Sequence, residues 1–163
     1  MIEIDGFSSH RPVLEKILLQ INNPKVIELG IGFGSTPLIV ELSEYSEHYD
    51  TEQDWINKFT HLFSENHIFN KINNYSKFEW NEDIFQKNWD VAFIDNAPGE
   101  SRQSNLIKLK DKSKFIICHD TEELYKEAAS DYRWDFSNFK YHYVYTEYNT
   151  YTTIVSNFEN IIL

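Results

Sequence analysis

Lys25-Val26-Ile27-Glu28-Leu29-Gly30-Ile31-Gly32-Phe33-Gly34-Ser35-Thr36 is the stretch on which the reading of this chain turns. Lys25 to Leu29 form a short apolar run with one carboxylate inside it, the pattern of a buried strand. Glycines follow at alternate positions, and a helical stretch then runs through Leu42. Strand, glycine turn and helix in that order let a ligand approach backbone amides with no Cβ in the way, beside a helix N-terminus. Glu28 is costly in an apolar strand unless it meets donors. It either holds the glycine turn, meets a cationic group of a ligand, or caps a neighbouring backbone. Asp50 lies 20 residues beyond Gly30 at the end of a second predicted strand, Glu47 to Asp50. An acid at that spacing can accept both hydroxyls of a ribose, so the pattern points to a nucleoside ligand.

Outward from this stretch, strand and helix patterns alternate. Before it, Val13, Leu14, Ile17, Leu18 and Ile21 recur at helical spacing, with Ser8 or Ser9 as cap, Pro12 in the first turn and Asn22-Asn23-Pro24 as stop. Residues 1–23 thus read as an N-terminal helical segment leaning on the sheet edge. After it, Glu52 to Phe63 reads as a helix burying Trp55, Ile56, Phe59, Leu62 and Phe63. Lys77 to Trp80 is a third strand, Trp89 to Ile94 a fourth and Lys114 to Cys118 a fifth, with helices near Arg102 to Leu109 and Glu122 to Ala129. Tyr141 to Tyr145 and Tyr151 to Val155 are joined by too short a turn for a crossover helix, so they form an antiparallel hairpin. The expected fold is α/β and Rossmann-like: a mostly parallel seven-stranded sheet ending in an antiparallel hairpin, helices on both faces, residues 1–163 as one domain.

Composition narrows the partners. The formal charge of −11 would repel a phosphate backbone, so nucleic acid and anionic membranes are not expected partners. A single cysteine, Cys118, excludes an internal disulfide and a multi-cysteine zinc site, and its apolar strand marks it as core. No basic, apolar leader or bilayer-length run is visible, which suggests a cytoplasmic protein.

The segment Val26 to Ser35, with Asp50-Thr-Glu-Gln-Asp-Trp55 and the strand ending Phe93-Ile-Asp95, resembles motif I and the following elements of class I S-adenosylmethionine-dependent methyltransferases. The resemblance extends from about Lys25 to the end of the chain, and that fold also closes with an antiparallel hairpin. It implies that Glu28, Gly30, Gly32 and Gly34 surround the amino-acid part of S-adenosylmethionine, that Asp50 holds its ribose, and that Asn81, within Trp80 to Asp83, meets the adenine edge. Small enzymes of this fold often dimerise, so a homodimer is a further expectation. A nicotinamide-dependent dehydrogenase and a noncatalytic nucleoside-binding module share the same glycine turn.

In a parallel α/β sheet, ligands sit beyond the carboxyl ends of the strands. Asp95 ends the fourth strand and His119-Asp120 end the fifth, which makes these three the catalytic candidates. His119 suits a general base for a hydroxyl acceptor; the alternative is that Asp120 or Thr121 caps the next helix. By resemblance to small metal-dependent O-methyltransferases, Asp95, His119 and Asp120 also match the ligands of a divalent cation such as Mg²⁺. Pro98 stands where such enzymes often carry a Lys or His base. Asp95 further borders the cofactor, and Asn96 and Arg102 are candidate substrate contacts, with surface pairing to Glu100 as the alternative for Arg102. Ser9-His10-Arg11 suggests an N-terminal lid or an exposed segment. With no insertion for a large acceptor, the expected activity is methyl transfer to a small-molecule hydroxyl.

Overall fold

A computed structural model describes residues 5–73, 82–122 and 132–163. The strands are β1 (Lys25–Leu29), β2 (Tyr45–Asp50), β3 (His67–Lys71), β4 (Trp89–Ile94), β5 (Ser113–His119), β6 (Tyr141–Tyr145) and β7 (Thr152–Ser156). They form one sheet in the order β3-β2-β1-β4-β5-β7-β6. The first five strands pair in parallel, while β7 runs antiparallel to both β5 and β6. Thr146 to Tyr151 alone connect β6 to β7, so antiparallel pairing is the only closure that connection permits. The strand order reverses between β1 and β4, and the crevice at that point is where such sheets take ligands.

Alternate side chains of the central strands face opposite cores. Ile27, Leu29, Ala92, Ile94, Ile116, Cys118 and Val155 pack with Leu106 and Leu109 of α4 (Arg102–Leu109). Val26, Val91, Phe93, Phe115, Ile117 and Ile154 pack with α1 (Arg11–Leu19) and with Leu38 and Ile39 of α2 (Thr36–Leu42). Helices therefore cover both faces. The Cys118 thiol is buried in this packing, and desolvation pushes its pKa up, which fits a core role.

Several elements depart from the expectations. The apolar stripe of α1 covers side chains of β1, β4, β5 and β7, the middle of the sheet and not its edge. The middle strands carry the apolar rows wide enough to bury Val13, Leu14, Ile17 and Leu18. Neither Ser8 nor Ser9 caps α1: His10 occupies the N-cap position with no side-chain cap bond, and Ser9 turns to His119. The helix expected from Glu52 to Phe63 is α3 (Gln53–Asn57) followed by a 3-10 turn, Thr60–Leu62. Thr60 Oγ1 donates to the Asn57 carbonyl as Phe59 turns inward onto Ile31 and Ile56, and Phe63 is left 45% exposed, stacked on Phe69. The described third strand is His67–Lys71, a half-buried edge strand. The expected strand at Lys77 to Trp80, and the expected helix beyond Glu122, lie outside the described residues.

β2 is a strand with few apolar side chains that is nonetheless buried from Ser46 to Asp50. Its polar groups are paired with neighbouring strands and loops. The Glu47 carboxylate accepts from Tyr45, Tyr49 and Lys87, each at 2.5 Å. Ser46 bonds both His48 and His67. Burial of a polar strand is tolerable under such full pairing.

Candidate active site at the carboxyl ends of the strands

The glycine turn is braced from behind. Glu28 and His48 are register partners on β1 and β2, and Glu28 Oε2 lies 2.5 Å from His48 Nδ1. The same oxygen accepts from Thr36 Oγ1 at 2.8 Å, and Thr36 Oγ1 accepts the Gly32 amide at 3.0 Å. Glu28 thus holds the turn through the first residue of α2. Its other oxygen, Oε1, is buried without a hydrogen-bond partner, an orphan acceptor beneath the turn. Asp50 braces the other side: Oδ2 accepts the Ile31 amide at 3.0 Å and Oδ1 the Glu52 amide at 2.9 Å.

The glycines serve different ends. Gly30 has φ +91°, and a Cβ there would lie 2.6 Å from the carbonyl of Asp95. Its absence lets β1 and β4 end side by side. A Cβ at Gly34 would lie 2.9 Å from Cβ of Ser8, so that position accommodates the N-terminal segment. At Gly32 the nearest atom would be 3.5 Å away, which leaves room on the ligand side.

Two clefts open above these strand ends. The first, about 450 Å³, is lined by Asp5, Phe7, Ser8, Ile31, Gly32, Phe33, Gly34, Trp55 and Asp95. Its apolar wall is built from Phe33 and Trp55, with ring centroids 5.4 Å apart, and the Trp55 indole donates to the Ile31 carbonyl. The second, about 430 Å³, is lined by Gly6, Phe7, Asp95, Arg102, His119, Asp120, Tyr132 and Thr150. Phe7 and Asp95 border both. Both volumes lie within the usual range for small-molecule sites.

Asp95, His119 and Arg102 form the junction. Asp95 Oδ1 lies 3.0 Å from Arg102 and 3.2 Å from His119 Nδ1, while His119 Nε2 bonds Ser9 Oγ at 2.9 Å. Burial works against ionisation of Asp95, but His119 and Arg102 outweigh it and hold the carboxyl at about 2. Burial likewise opposes the charged form of His119, and Asp95 and Asp120 outweigh it to raise the imidazole above its ordinary 6.5. His10 behaves oppositely: burial, reinforced by His119 and Arg11 and only partly offset by Asp95 and Asp5, lowers it to about 3.

These shifts, with His67 lowered by burial on the same side as His10, contribute to the pH dependence of stability. Between 2 and 3.8 the unfolded chain binds the Asp95 proton that the folded chain refuses, and between 3 and 6.5 the same holds for His10, so these groups make stability climb with pH. Above 6.5 the folded chain keeps a proton on His119 that the unfolded chain releases, so stability falls again as pH passes through the raised value. Urea midpoints for the metal-free protein should peak near pH 6.5, where the two limbs meet. A midpoint still rising at about pH 8 would contradict the raised His119.

The structure brings Asp95, His119 and Asp120 together, as the strand-end argument expects. Of the residues expected around the cofactor, Gly32, Gly34 and Asp95 line the first cleft, whereas Glu28, Gly30 and Asp50 stand behind it as supports. Asn81 lies outside the described residues. Arg102 lines the second cleft, yet its donors, like the side chain of Asn96, are engaged within the fold. The five N–H donors of Arg102 are taken by the carbonyls of Asn96, His119 and Asp95 and by the carboxylates of Asp120 and Asp95. It fastens β4 to β5 and does not pair with Glu100. Asn96 is fully buried, donating to Ser101 and Pro98 and accepting from Asn105. Mg²⁺ on Asp95, His119 and Asp120 does not fit, because Arg102 already bridges the two carboxylates and an imidazole suits Mg²⁺ poorly.

Sequence reasoning placed Ser9 and His10 only in a lid or an exposed segment, and it missed Phe7 and His48. Ser9 and His10 are buried in the site, although nothing local ties them to His119, 110 residues away from Ser9. Phe7 borders both clefts. His48 had a usable signal, since parallel pairing of the first two strands sets it beside Glu28.

No protein-family model and no curated protein sequence matches the chain. Its fold does match solved structures, among them several methyltransferases. An rRNA methylase from Streptococcus thermophilus superimposes with a TM-score of 0.63 at 13% identity, over 98% of this chain and 100% of that one. The O-methyltransferase TomG from Streptomyces achromogenes, solved with S-adenosylmethionine, gives 0.63 at 9% identity over 96% and 92% of the two chains. The bifunctional kinase-methyltransferase WbdD gives 0.61 at 18% identity, with 97% of this chain covering 40% of that one. No described helix is long and apolar enough to cross a membrane.

Proposed function

We propose that this chain transfers the methyl group of S-adenosylmethionine to a hydroxyl of a small acceptor. The observation that carries the reading is the adjacency of the two clefts, one on the glycine turn and one on the His119 imidazole, with Asp95 in the wall of both. Bound S-adenosylmethionine supplies a methyl carbon on a sulfonium sulfur; as the acceptor oxygen attacks, the C–O bond forms, the C–S bond breaks with its electron pair going to sulfur, and one proton leaves the oxygen. Gly32, Gly34, Phe33 and Trp55 would hold the donor, Glu28 would act by bracing the turn from behind, and the remaining lone pairs of Asp50 would serve its ribose. Asp95 and His119 draw off the acceptor proton, and Arg102 fixes both strand ends so that the pair stays aligned.

The formal charge of −11 and the size of the second cleft favour a compact acceptor over RNA, although one structural neighbour is an rRNA methylase. A nicotinamide-dependent dehydrogenase would share the glycine turn. The antiparallel β7 beside β5 favours the methyl donor, since the dinucleotide fold continues there with a parallel strand.

Incubation with S-adenosylmethionine and a panel of polyols and phenols should release S-adenosylhomocysteine with at least one acceptor. Asp95→Asn should lower that rate by roughly 100-fold. S-adenosylhomocysteine should raise the melting temperature of the protein and NAD⁺ should not. Binding without turnover on any acceptor, or unchanged turnover in Asp95→Asn, would overturn the catalytic reading.

A further inference from the structure

Among the described residues, both ring nitrogens of His10 are buried without a hydrogen-bond partner, and the buried Nδ1 of His119 faces Asp95 Oδ1 at 3.2 Å. The two imidazoles meet edge to face, with centroids 4.6 Å apart, beside Asp95. A desolvated nitrogen carries a penalty that a ligand would remove, and one nitrogen from each ring together with the Asp95 carboxylate forms a donor set. One donor atom from each of His10, Asp95 and His119 lies within 4.8 Å of the other two. We infer that His10, Asp95 and His119 form a binding site for one divalent transition-metal ion of the Zn²⁺, Co²⁺ or Fe²⁺ type.

The donor chemistry selects the class of ion. Two imidazoles and one carboxylate suit borderline transition metals that keep open coordination positions, whereas Mg²⁺ and Ca²⁺ require oxygen. Bonds of about 2.0–2.1 Å would draw the donors to roughly 3.3 Å from one another, a contraction that side-chain rotation can supply. Charge permits the ion as well. Asp95 and Asp120 carry two negative charges against the one positive charge of Arg102, and the ion would take the place of the proton that these carboxylates favour on His119. Arg102 engages Oδ1 of Asp95 and leaves Oδ2 for the ion. Asp120 does not join the set, since its Oδ2 is held by Arg102.

His10 precedes α1, Asp95 follows β4 and His119 ends β5, so the ion would tie the N-terminal segment to the sheet at the junction of the two clefts. Open positions there would face an acceptor oxygen and lower its pKa. This role rests on the methyl-transfer reading, whereas the binding of the ion does not.

The test is a titration of the metal-stripped full chain with Co²⁺, followed by its visible ligand-field absorption and by calorimetry, with S-adenosylhomocysteine titrated in parallel. One Co²⁺ per chain is expected, with Zn²⁺ displacing it and excess Mg²⁺ leaving it in place. His10→Phe, which retains a ring, and His119→Asn should each weaken Co²⁺ at least ~100-fold, since even outer-shell partners of a metal cost 10–100-fold. His142→Gln, at an exposed position, should bind as the parent does. Far-ultraviolet circular dichroism and S-adenosylhomocysteine affinity report whether each variant is folded. Absence of Co²⁺ binding by the parent overturns the inference, as does unchanged binding in folded His10→Phe or His119→Asn. Failure to bind S-adenosylhomocysteine while Co²⁺ binds overturns the methyl-transfer reading alone.

Discussion

Arg102→Met should destabilise the protein by about 3–5 kcal/mol, because it removes the permanent cation between two partly buried carboxylates and keeps most of the stem. The guanidinium is 6% exposed, against 24% and 22% for the carboxylates of Asp95 and Asp120, so solvent can replace little of what is lost. Three backbone carbonyls lose their donors at the same time. Arg102→Lys should recover only part of the loss, since an ammonium has three donors and cannot span the fork that joins β4 to β5. Urea unfolding of both variants checks this. A loss below about 1 kcal/mol in Arg102→Met would mean that Arg102 behaves as a surface residue.

Gly30→Ala should cost at least about 3 kcal/mol, through two effects that add. Its φ of +91° disfavours any L side chain, and the new Cβ would lie 2.6 Å from backbone atoms of Asp95, which cannot rotate away. Relief requires parting β1 from β4 where the two clefts meet, so binding of S-adenosylhomocysteine should be lost with stability. Gly32→Ala offers the contrast. A Cβ there meets nothing closer than 3.5 Å, so that variant should fold normally and lose ligand affinity alone. Equal unfolding midpoints for Gly30→Ala and the parent protein would contradict the close approach.

The glycine turn was legible because it is local: strand, glycines and helix are contiguous, and each needs only its neighbours to be recognised. The terminal hairpin was legible from the length of its connection. The edge strand β3 was not, because His67–Lys71 is half-buried, pairs with only one strand and lacks an apolar run. The strand expected at Lys77 to Trp80 lies outside the described residues. The strand-end rule gathered Asp95, His119 and Asp120, yet it gave no sign that the donors of Arg102 are engaged within the fold. A guanidinium satisfied largely by main-chain carbonyls leaves no pattern in the side-chain sequence, so nothing marked this one as structural. His10 was hidden for a related reason. Its surroundings come from Gly34, Phe93 and His119, which the fold assembles from three separate elements.

A crystal structure of the chain with S-adenosylhomocysteine tests the central claim most directly. The account predicts the amino-acid end of the ligand against Gly32 and Gly34, its ribose toward Asp50, and its sulfur facing the cleft lined by Asp95 and His119. A ligand seated away from the glycine turn, or a sulfur turned from Asp95, would contradict it.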